Sequence, residues 1–590
     1  MHTNEKIAKL RELMQAAQIS AFIIPSADPH QSEYFADHFK SRMWISGFTG
    51  SVGTVVVTGD KAGLWVDGRY FIQAEHQIAG SQIDLHKILP GEPSPFEWLA
   101  LELPAGSNVA INGKLFSVNQ LKEMKKVFKA KNLQIKTDHD FVAEIWDDRP
   151  SLPQSPIFIH DLQYAGKSRL EKITELRTAY QARGAQAYII SSLDDIAWLL
   201  NIRAGDVPNS PVCLAYCLIT DSRCIFFVDP VQVNPQVWAE MEKDQIELAG
   251  YENIVKEVAL LPRESTVFLD PDRINIWLYQ AIPDWVDVIE DLDITTLMKS
   301  AKNPTEQEGV RQSQIRDCAA LVKAFIWIEQ NKDSGTLTEW QVAQKLAECR
   351  SQMALFIDTS FNSIIAYRAN AAMMHYTPTK EESTTIRPEG FLLLDSGGNY
   401  YDGTTDITRT ILMGPITAEE RHDFTLTLKA YLALERFHFL EGYAGSNLDI
   451  IARRVMWAED LDYKCGTGHG VGYCLNVHEG PQRFRGDNNA PLKEGMLITD
   501  EPGVYKEGKH GIRTENILLV VKAQNTEAGQ FFKFEPVTFF PIEIDALDLD
   551  LLDQGEKDWL NDYHAQTYAK LSPLLNDAEK AWLKHKTRAI

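Results

Sequence analysis

No stretch of this sequence approaches the about 18 consecutive apolar residues that a membrane-spanning helix needs, so no membrane partner is expected. The N-terminal segment MHTNEKIAKLRELMQ is charged and amphipathic and lacks the apolar centre of a secretory signal. A cytoplasmic location is therefore the expectation. Basic charge is also scarce: 59 lysines and arginines face 82 aspartates and glutamates, a net charge of −23. That balance argues against a nucleic-acid partner, which would call for a basic face, and it sets no fold. Cysteine is sparse and irregular. Cys213, Cys217, Cys224, Cys318, Cys349, Cys465 and Cys474 are odd in number and form no disulfide framework, so reduced thiols are expected. The first three lie in apolar, strand-like sequence and read as small buried residues. Low-complexity segments are absent, as is the paired Cys/His spacing of a zinc finger.

What is present is enough chain for three or four domains: 590 residues, at roughly 100–200 per domain. An internal repeat organises it. LRELMQAAQISAFIIPS (10–26) and LRTAYQARGAQAYIISS (176–192) both open on Leu-Arg in a helical pattern and run into an apolar segment ending in serine. Strand-like pairs follow each copy, GTVVVTGDKAGLWVD and CLAYCLITDSRCIFFVD. A repeat at this long period implies duplicated α/β modules rather than a solenoid. The proline-rich DDRPSLPQSP (147–156) reads as the linker between them. Near residue 300, Asn303 is a candidate N-cap with Pro304 at the first helical position. Leu321, Val322, Phe325, Ile326 and Ile328 then form a buried stripe along a long helix. The expected organisation is two related domains, 1–155 and 156–300, and a third over 301–590. Near the end, 558–583 predicts two amphipathic helices broken at Ser572-Pro573, covering the core or a partner subunit.

The third region repeats one anomaly. FLLLDSGGNYYDGTTDITRTILMG (391–414) reads as a hairpin whose apolar first strand ends in Asp395, with Ser-Gly-Gly-Asn as the turn and Asp406 on the return strand. The unalternating FLLL should be buried, and an acidic residue closing such a run is costly unless paired or bound to metal. Taken alone, Asp395 reads equally as a turn cap and Asp406 as a solvated strand residue. GMLITDEPGVY (495–505) places Asp500 and Glu501 directly after another apolar run, and GIRTENILLVV (511–521) places Glu515 just ahead of a third, two residues after Arg513. CGTGHGVGYCLNVHEGP (465–481) adds His469 between glycines, which permit sharp turns and close backbone approach. Asp395, Asp406, His469, Glu501 and Glu515 together offer four carboxylates and one imidazole. Four negative charges balance two divalent ions, and oxygen-rich ligation suits a harder ion such as Mn²⁺. Hydrolysis by water ionised between two metals is the chemistry such a set serves.

The motifs LLLDSGGNYYDGTTDITRT, GTGHGVGYCLNVHEGP, TDEPGVY and GIRTENILLV closely resemble those of the aminopeptidase P (Xaa-Pro aminopeptidase) family. Segments 30–53, 65–71 and 193–212 resemble that family's first and second domains. The resemblance implies the long, three-domain form: an α/β (α+β) chain with two creatinase-type N-terminal domains followed by a pita-bread catalytic domain. It implies hydrolysis of the bond between an N-terminal residue and a following proline by a hydroxide bridging two divalent metals, most suitably Mn²⁺. Asp395 would chelate one ion, Asp406 and Glu515 bridge both, and His469 and Glu501 complete the second. His375, in NAAMMHYTP, matches a histidine that helps hold the substrate carbonyl and its oxyanion, and His478, in NVHEGP, matches another over the scissile bond. Glu501 would carry a proton to the leaving proline nitrogen. Arg513 would steady the carboxylates, although it also reads as an arginine on a solvated strand face.

One position departs from the pattern. Cys465 stands where the long form has a histidine lining the proline pocket, which puts the strictness of proline selection in doubt. It reads as a tolerated packing change ahead of a reactive thiol or an inhibitory third ligand. AWLLNIR (197–203) would limit the length or path of the substrate. The implied partners are peptides with proline second, and the implied assembly is a homodimer. The alternatives are a prolidase, a creatinase-like enzyme without metal, and a non-catalytic pita-bread scaffold. A prolidase would normally lack the duplicated N-terminal module, and the other two would not keep all five ligand types.

Overall fold

The computed structural model describes residues 1–590. The chain divides into two compact units, Met1–His160 with Lys167–Thr296, and Asp161–Gly166 with Leu297–Ile590. None of its helices is long and apolar enough to cross a membrane.

The first unit contains the duplication. One six-stranded sheet runs, edge to edge, Asp84–Lys87, Ala62–Val66, Thr54–Thr58, Ala21–Pro25, Asn108–Ile111 and Gln134–Lys136. The other runs Glu247–Ala249, Cys224–Val228, Ala215–Thr220, Ala187–Ile190, Thr266–Leu269 and Asp287–Glu290. Strand order and sense agree at every step. In both, the first strand in sequence pairs antiparallel with a hairpin on one side and parallel with a later strand on the other. The hairpins of the two sheets are themselves antiparallel, with parallel strands at the edges. The matching helices, Thr3–Ala16 and Arg169–Gln181, precede the matching strands. Central strands are buried along their whole length, so they read as continuous apolar runs rather than alternating ones. Cys217 and Cys224 belong to two of them, and all seven cysteines are free thiols. No helix or strand covers 149–157.

The longest helix of the second unit is Pro304–Asn331. The Asn303 side chain accepts from the Glu306 backbone N–H and the Glu306 carboxylate from the Asn303 N–H, with proline at the first helical position. This reciprocal cap satisfies donors that the first turn leaves open. The helix and its neighbour Glu339–Ser351 cover the antiparallel sheet Ile364–Tyr367, Phe391–Ser396 and Ile407–Leu412, and Phe325, Ile328, Leu346, Leu392 and Leu394 share one core. A second half repeats the arrangement. Helices Ala418–Glu435 and Gly445–Trp457 cover a six-stranded sheet ordered Phe439–Leu440, Gly529–Pro536, Asn516–Thr526, Leu497–Asp500, Gly468–Gly470 and Glu479–Phe484. A two-stranded ribbon, Gly503–Lys506 with His510–Arg513, completes the unit. The chain ends in helices Gln554–Leu571 and Asp577–Lys586, separated at Ser572–Leu574. Leu571, Leu575 and Leu583 pack into the core of the first half, so these helices cover the core of their own chain.

The hairpin differs from the sequence expectation in one respect. Phe391–Ser396 pairs with Ile407–Leu412, Asp395 opposite Thr408, but Ser396–Asn399 is not the turn. The chain continues outward as a smaller ribbon, Gly398–Tyr400 against Gly403–Thr404, and turns at Tyr401–Asp402. The bend between the two ribbons depends on Gly397. A Cβ there would lie 1.9 Å from the Thr405 carbonyl oxygen and 2.3 Å from Ser360 Oγ. Asp406 sits in this bend, one residue before the strand, rather than within it.

Candidate metal centre

The five side chains singled out in the sequence come from five different places in the second unit. Asp395 lies near the end of a central strand, Asp406 in the adjoining bend, His469 on a three-residue strand, Glu501 directly after Leu497–Asp500, and Glu515 directly before Asn516–Thr526. His469 Nε2 is 3.4 Å from Asp406 Oδ2 and 3.7 Å from Glu501 Oε1. One donor atom each from Asp406, His469 and Glu515 lie within 4.8 Å of one another. Asp395 and Glu501 complete the group electrostatically, each raising the proton affinity of Glu515.

The glycines beside His469 follow from the sheet around it. A Cβ on Gly468 would lie 1.9 Å from the Thr499 carbonyl oxygen, and one on Gly470 would lie 2.2 Å from that of Glu479. The neighbouring strands therefore close on the backbone at both positions, and only glycine fits. His469 is then oriented by two hydrogen bonds. Its backbone N–H donates to Thr499 Oγ1 (3.0 Å), and its Nδ1–H donates to the Gly470 carbonyl (2.9 Å). A carbonyl only accepts, so the proton is on Nδ1 and the lone pair of Nε2 faces the carboxylates.

Arg513 stands behind the carboxylates, buried, and not on a solvated strand face. Its guanidinium donates to Asp395 Oδ2 (2.5 Å), Thr408 Oγ1 (3.0 Å) and the Tyr505 hydroxyl (2.8 Å). Thr408 passes the restraint on, donating to Glu515 Oε2 (2.6 Å). Arg409, on the opposite face of the same strand, donates to the carbonyls of Glu515, Phe540 and Pro541 and to the Asn516 side chain. It thereby fixes where the Glu515 strand begins.

The charge balance leaves room for cations. Four carboxylates converge with Arg513 as the arginine that acts on all of them, Arg350 adding a weaker pull on Asp406. Burial pushes Asp395 up to about 6 and Asp406 up to about 7, while Arg513 pulls the first down and His478 the second. Burial raises Glu501 and Glu515 too, and the neighbouring carboxylates add to the rise. Asp395 Oδ1 has no hydrogen-bond partner despite being buried. An unpaired oxygen among repelling carboxylates, beside an imidazole nitrogen with its lone pair facing them, fits metal ions.

Asp500 and Glu501, adjacent acids after one apolar run, are separated by the structure. Successive strand residues face opposite sides. Glu501 looks into the cluster, while Asp500 is fully buried near Glu435, with neither carboxylate oxygen hydrogen-bonded. The ring of His478 packs edge-on against that of His469, centroids 4.1 Å apart. His375 is half-buried in the turn after Arg368–Ala372, a segment that packs on the ribbon strand bearing Arg513. Cys465 is half-buried beside Tyr505, and burial and the charge of Glu501 push its thiol up to about 12. Thr408, Tyr505 and Thr499 were not read from the sequence. For Thr408 a signal existed: Asp406, Thr408 and Thr410 alternate through an apolar strand, and Thr410 also bonds the Arg513 backbone.

Comparison with known proteins agrees with this layout. Residues 308–522 match metallopeptidase family M24, and 530–590 match the C-terminal region of that peptidase family. Residues 6–140 and 148–306 each match the creatinase/prolidase N-terminal domain. Aminopeptidase P2 of Arabidopsis thaliana is 40% identical over 631 residues, covering 100% of this chain and 88% of the relative. A probable Xaa-Pro aminopeptidase P of Laccaria bicolor is 40% identical, covering 99% and 93%. The crystal structure of X-prolyl aminopeptidase from Caenorhabditis elegans, described as a cytosolic enzyme with a di-nuclear active site, superimposes with a TM-score of 0.96 at 33% identity, covering 100% of both chains.

Proposed function

From the premise that this chain belongs to the aminopeptidase P family of M24 metallopeptidases, we propose that it removes the N-terminal residue from peptides whose second residue is proline, with two divalent metal ions as cofactor. The convergence of Asp406, His469 and Glu515 on one small buried space carries the reading. Asp395, Asp406, Glu515, Glu501 and His469 would hold the ions. When bound, the pair lowers the pKa of a water and polarises the scissile carbonyl. Manganese is the favoured metal because oxygen donors outnumber nitrogen four to one in this set.

The rest of the work falls to side chains. His375 and His478 are the groups proposed to donate to the carbonyl oxygen as negative charge develops there, a preset electrostatic contribution of the kind that often dominates catalysis. Glu501, whose proton affinity burial raises, would deliver a proton to the proline nitrogen, since an amine leaves more readily when protonated. Arg513, with Tyr505 and Thr408, holds Asp395 and Glu515 in place. The bond before proline has no N–H to recognise, so selection rests on ring shape. Cys465, protonated at neutral pH, would form part of that wall without a strong donor.

We place the protein in the cytoplasm as a homodimer. Ile450 and Trp457, seven residues apart on one face of the helix Gly445–Trp457, are 39% and 48% exposed, which supports a second copy packing there. Sedimentation of Ile450→Asp should give monomers; an unchanged dimer removes this face from consideration. Activity is tested by release of the first residue from Arg-Pro-Pro with and without EDTA, followed by added Mn²⁺. Loss on chelation and recovery with Mn²⁺ is expected. Turnover indifferent to chelation overturns the metal mechanism. Cleavage of an Xaa-Pro dipeptide but no longer peptide would make the chain a prolidase.

A further inference from the structure

Glu479 is the residue after His478, and its carboxylate is buried with two lysines. Lys302 Nζ contacts Glu479 Oε1, and Lys299 Nζ lies 3.4 Å from Oε2, with all three side chains no more than 2% exposed. Lys302 is itself fixed from three directions. Its N–H donates to the Gly495 carbonyl, its carbonyl accepts from Gln307, and its ammonium donates to the Lys299 carbonyl. It also immediately precedes Asn303, the cap of the long helix. The Glu479 backbone makes a second connection. In the sheet Glu479 is the partner of Gly470, next to His469, and its carbonyl oxygen is the atom that excludes a Cβ there. The loop 471–478 therefore begins and ends on one residue pair, with His469 just ahead of that pair and His478 as the loop's last residue. Thr404 clasps the middle of this loop, donating to the Leu475 carbonyl and accepting from its N–H.

We infer that Glu479 is a positioning residue: anchored to Lys302 and Lys299, it sets where the His478 ring stands against His469. The inference rests on the proposed role of His478 at the substrate carbonyl. A buried carboxylate between two ammonium groups has strong reasons not to move, because displacing it leaves both cations uncompensated. A ring attached one residue away inherits that immobility. A group acting on a developing oxyanion needs such placement, since a 1 Å error can cost about 100-fold in rate.

The test is a double-mutant cycle on the full-length, manganese-loaded chain with Arg-Pro-Pro as substrate. Glu479→Gln keeps the shape and removes the charge. It should lower kcat about 10- to 100-fold with KM within about 2-fold of the parent, the split expected when a transition-state contact is displaced. Placed in a His478→Ala background, it should cause no further loss. A kcat within about 2-fold of the parent overturns the proposal, and so does a loss that multiplies with that of His478→Ala. If His478→Ala alone keeps full activity, the assigned role of His478 fails, and the positioning role falls with it. The metal-dependent activity reading is unaffected by that result, because chelation tests it separately. If Glu479→Gln does not fold, Glu479→Gln with Lys302→Gln, which neutralises both partners of the closest pair, takes its place under the same criteria.

Discussion

One hydrogen bond decides which nitrogen of His469 can ligate. With Nδ1 committed to the Gly470 carbonyl, Nε2 is 3.4 Å from Asp406. Asp406 is accordingly the most sensitive single position. Asp406→Ala should leave a folded chain by circular dichroism yet lose more activity on Arg-Pro-Pro than the 10- to about 100-fold that outer partners of a metal site carry. Retained turnover would count heavily against the site. Thr408→Val keeps the shape but strips the bridge from Arg513 to Glu515, so manganese affinity by calorimetry should fall about 10- to 100-fold. The carboxylates also predict a pH dependence. Burial raises Asp395 to about 6 and Asp406 to about 7, above their unfolded values. At these two sites the folded, metal-free chain therefore holds more protons than the unfolded one between about pH 4 and 7, and their contribution to stability falls as pH rises through that window. From pH 5 to pH 8 the melting temperature of EDTA-treated protein should fall relative to that of an Asp395→Asn, Asp406→Asn double variant, and Mn²⁺ at pH 8 should raise the parent's by binding the folded form. A metal-free parent whose melting temperature follows pH as the double variant's does would contradict the raised proton affinities.

At the scale of elements, the site depends on strands that close tightly on one another. Gly468→Ala would drive a methyl group to 1.9 Å from the Thr499 carbonyl, whose residue also orients His469. A destabilisation of about 1–3 kcal/mol by denaturant unfolding is expected, with manganese affinity falling in parallel; an unshifted midpoint would show that the sheet yields there. The sequence announced Asp395, Glu501 and Glu515 by their places at the ends of apolar runs, because a charge there is costly without a partner. The bend at Gly397, which moves the turn to Tyr401–Asp402, left no such trace. Its cause is the approach of Thr405 and Ser360, residues distant from Gly397 in sequence or brought back to it by the fold. The separation of Asp500 from Glu501 was equally silent, since strand alternation puts adjacent acids on opposite faces without saying which face is the cavity.

At the scale of the molecule, duplication supplies the first unit and two helix-covered sheets the second. The repeat was visible because matching helices and buried strands reuse the same apolar pattern at a constant offset, and both sheets then share one strand order. The C-terminal helices show how the second unit is sealed. Leu583 is fully buried in the core shared with Phe325 and Leu346, so Leu583→Ala should cost about 2–5 kcal/mol in denaturant unfolding. A cost near zero would mean the last helix detaches freely from the unit.

The duplicated modules, the capped helix Pro304–Asn331 and the acids Asp395, Glu501 and Glu515 were legible in the chain alone, because apolar periodicity and the cost of burying charge are local properties that a chain displays without folding. Folding was needed to show which nitrogen of His469 faces the carboxylates, which of two adjacent acids enters the cavity, and that Thr408 bonds Glu515, Arg409 bonds the start of its strand and Glu479 is buried with two lysines. Each of those depends on contacts between residues tens to hundreds of positions apart, and such proximity exists only once the sheets have closed.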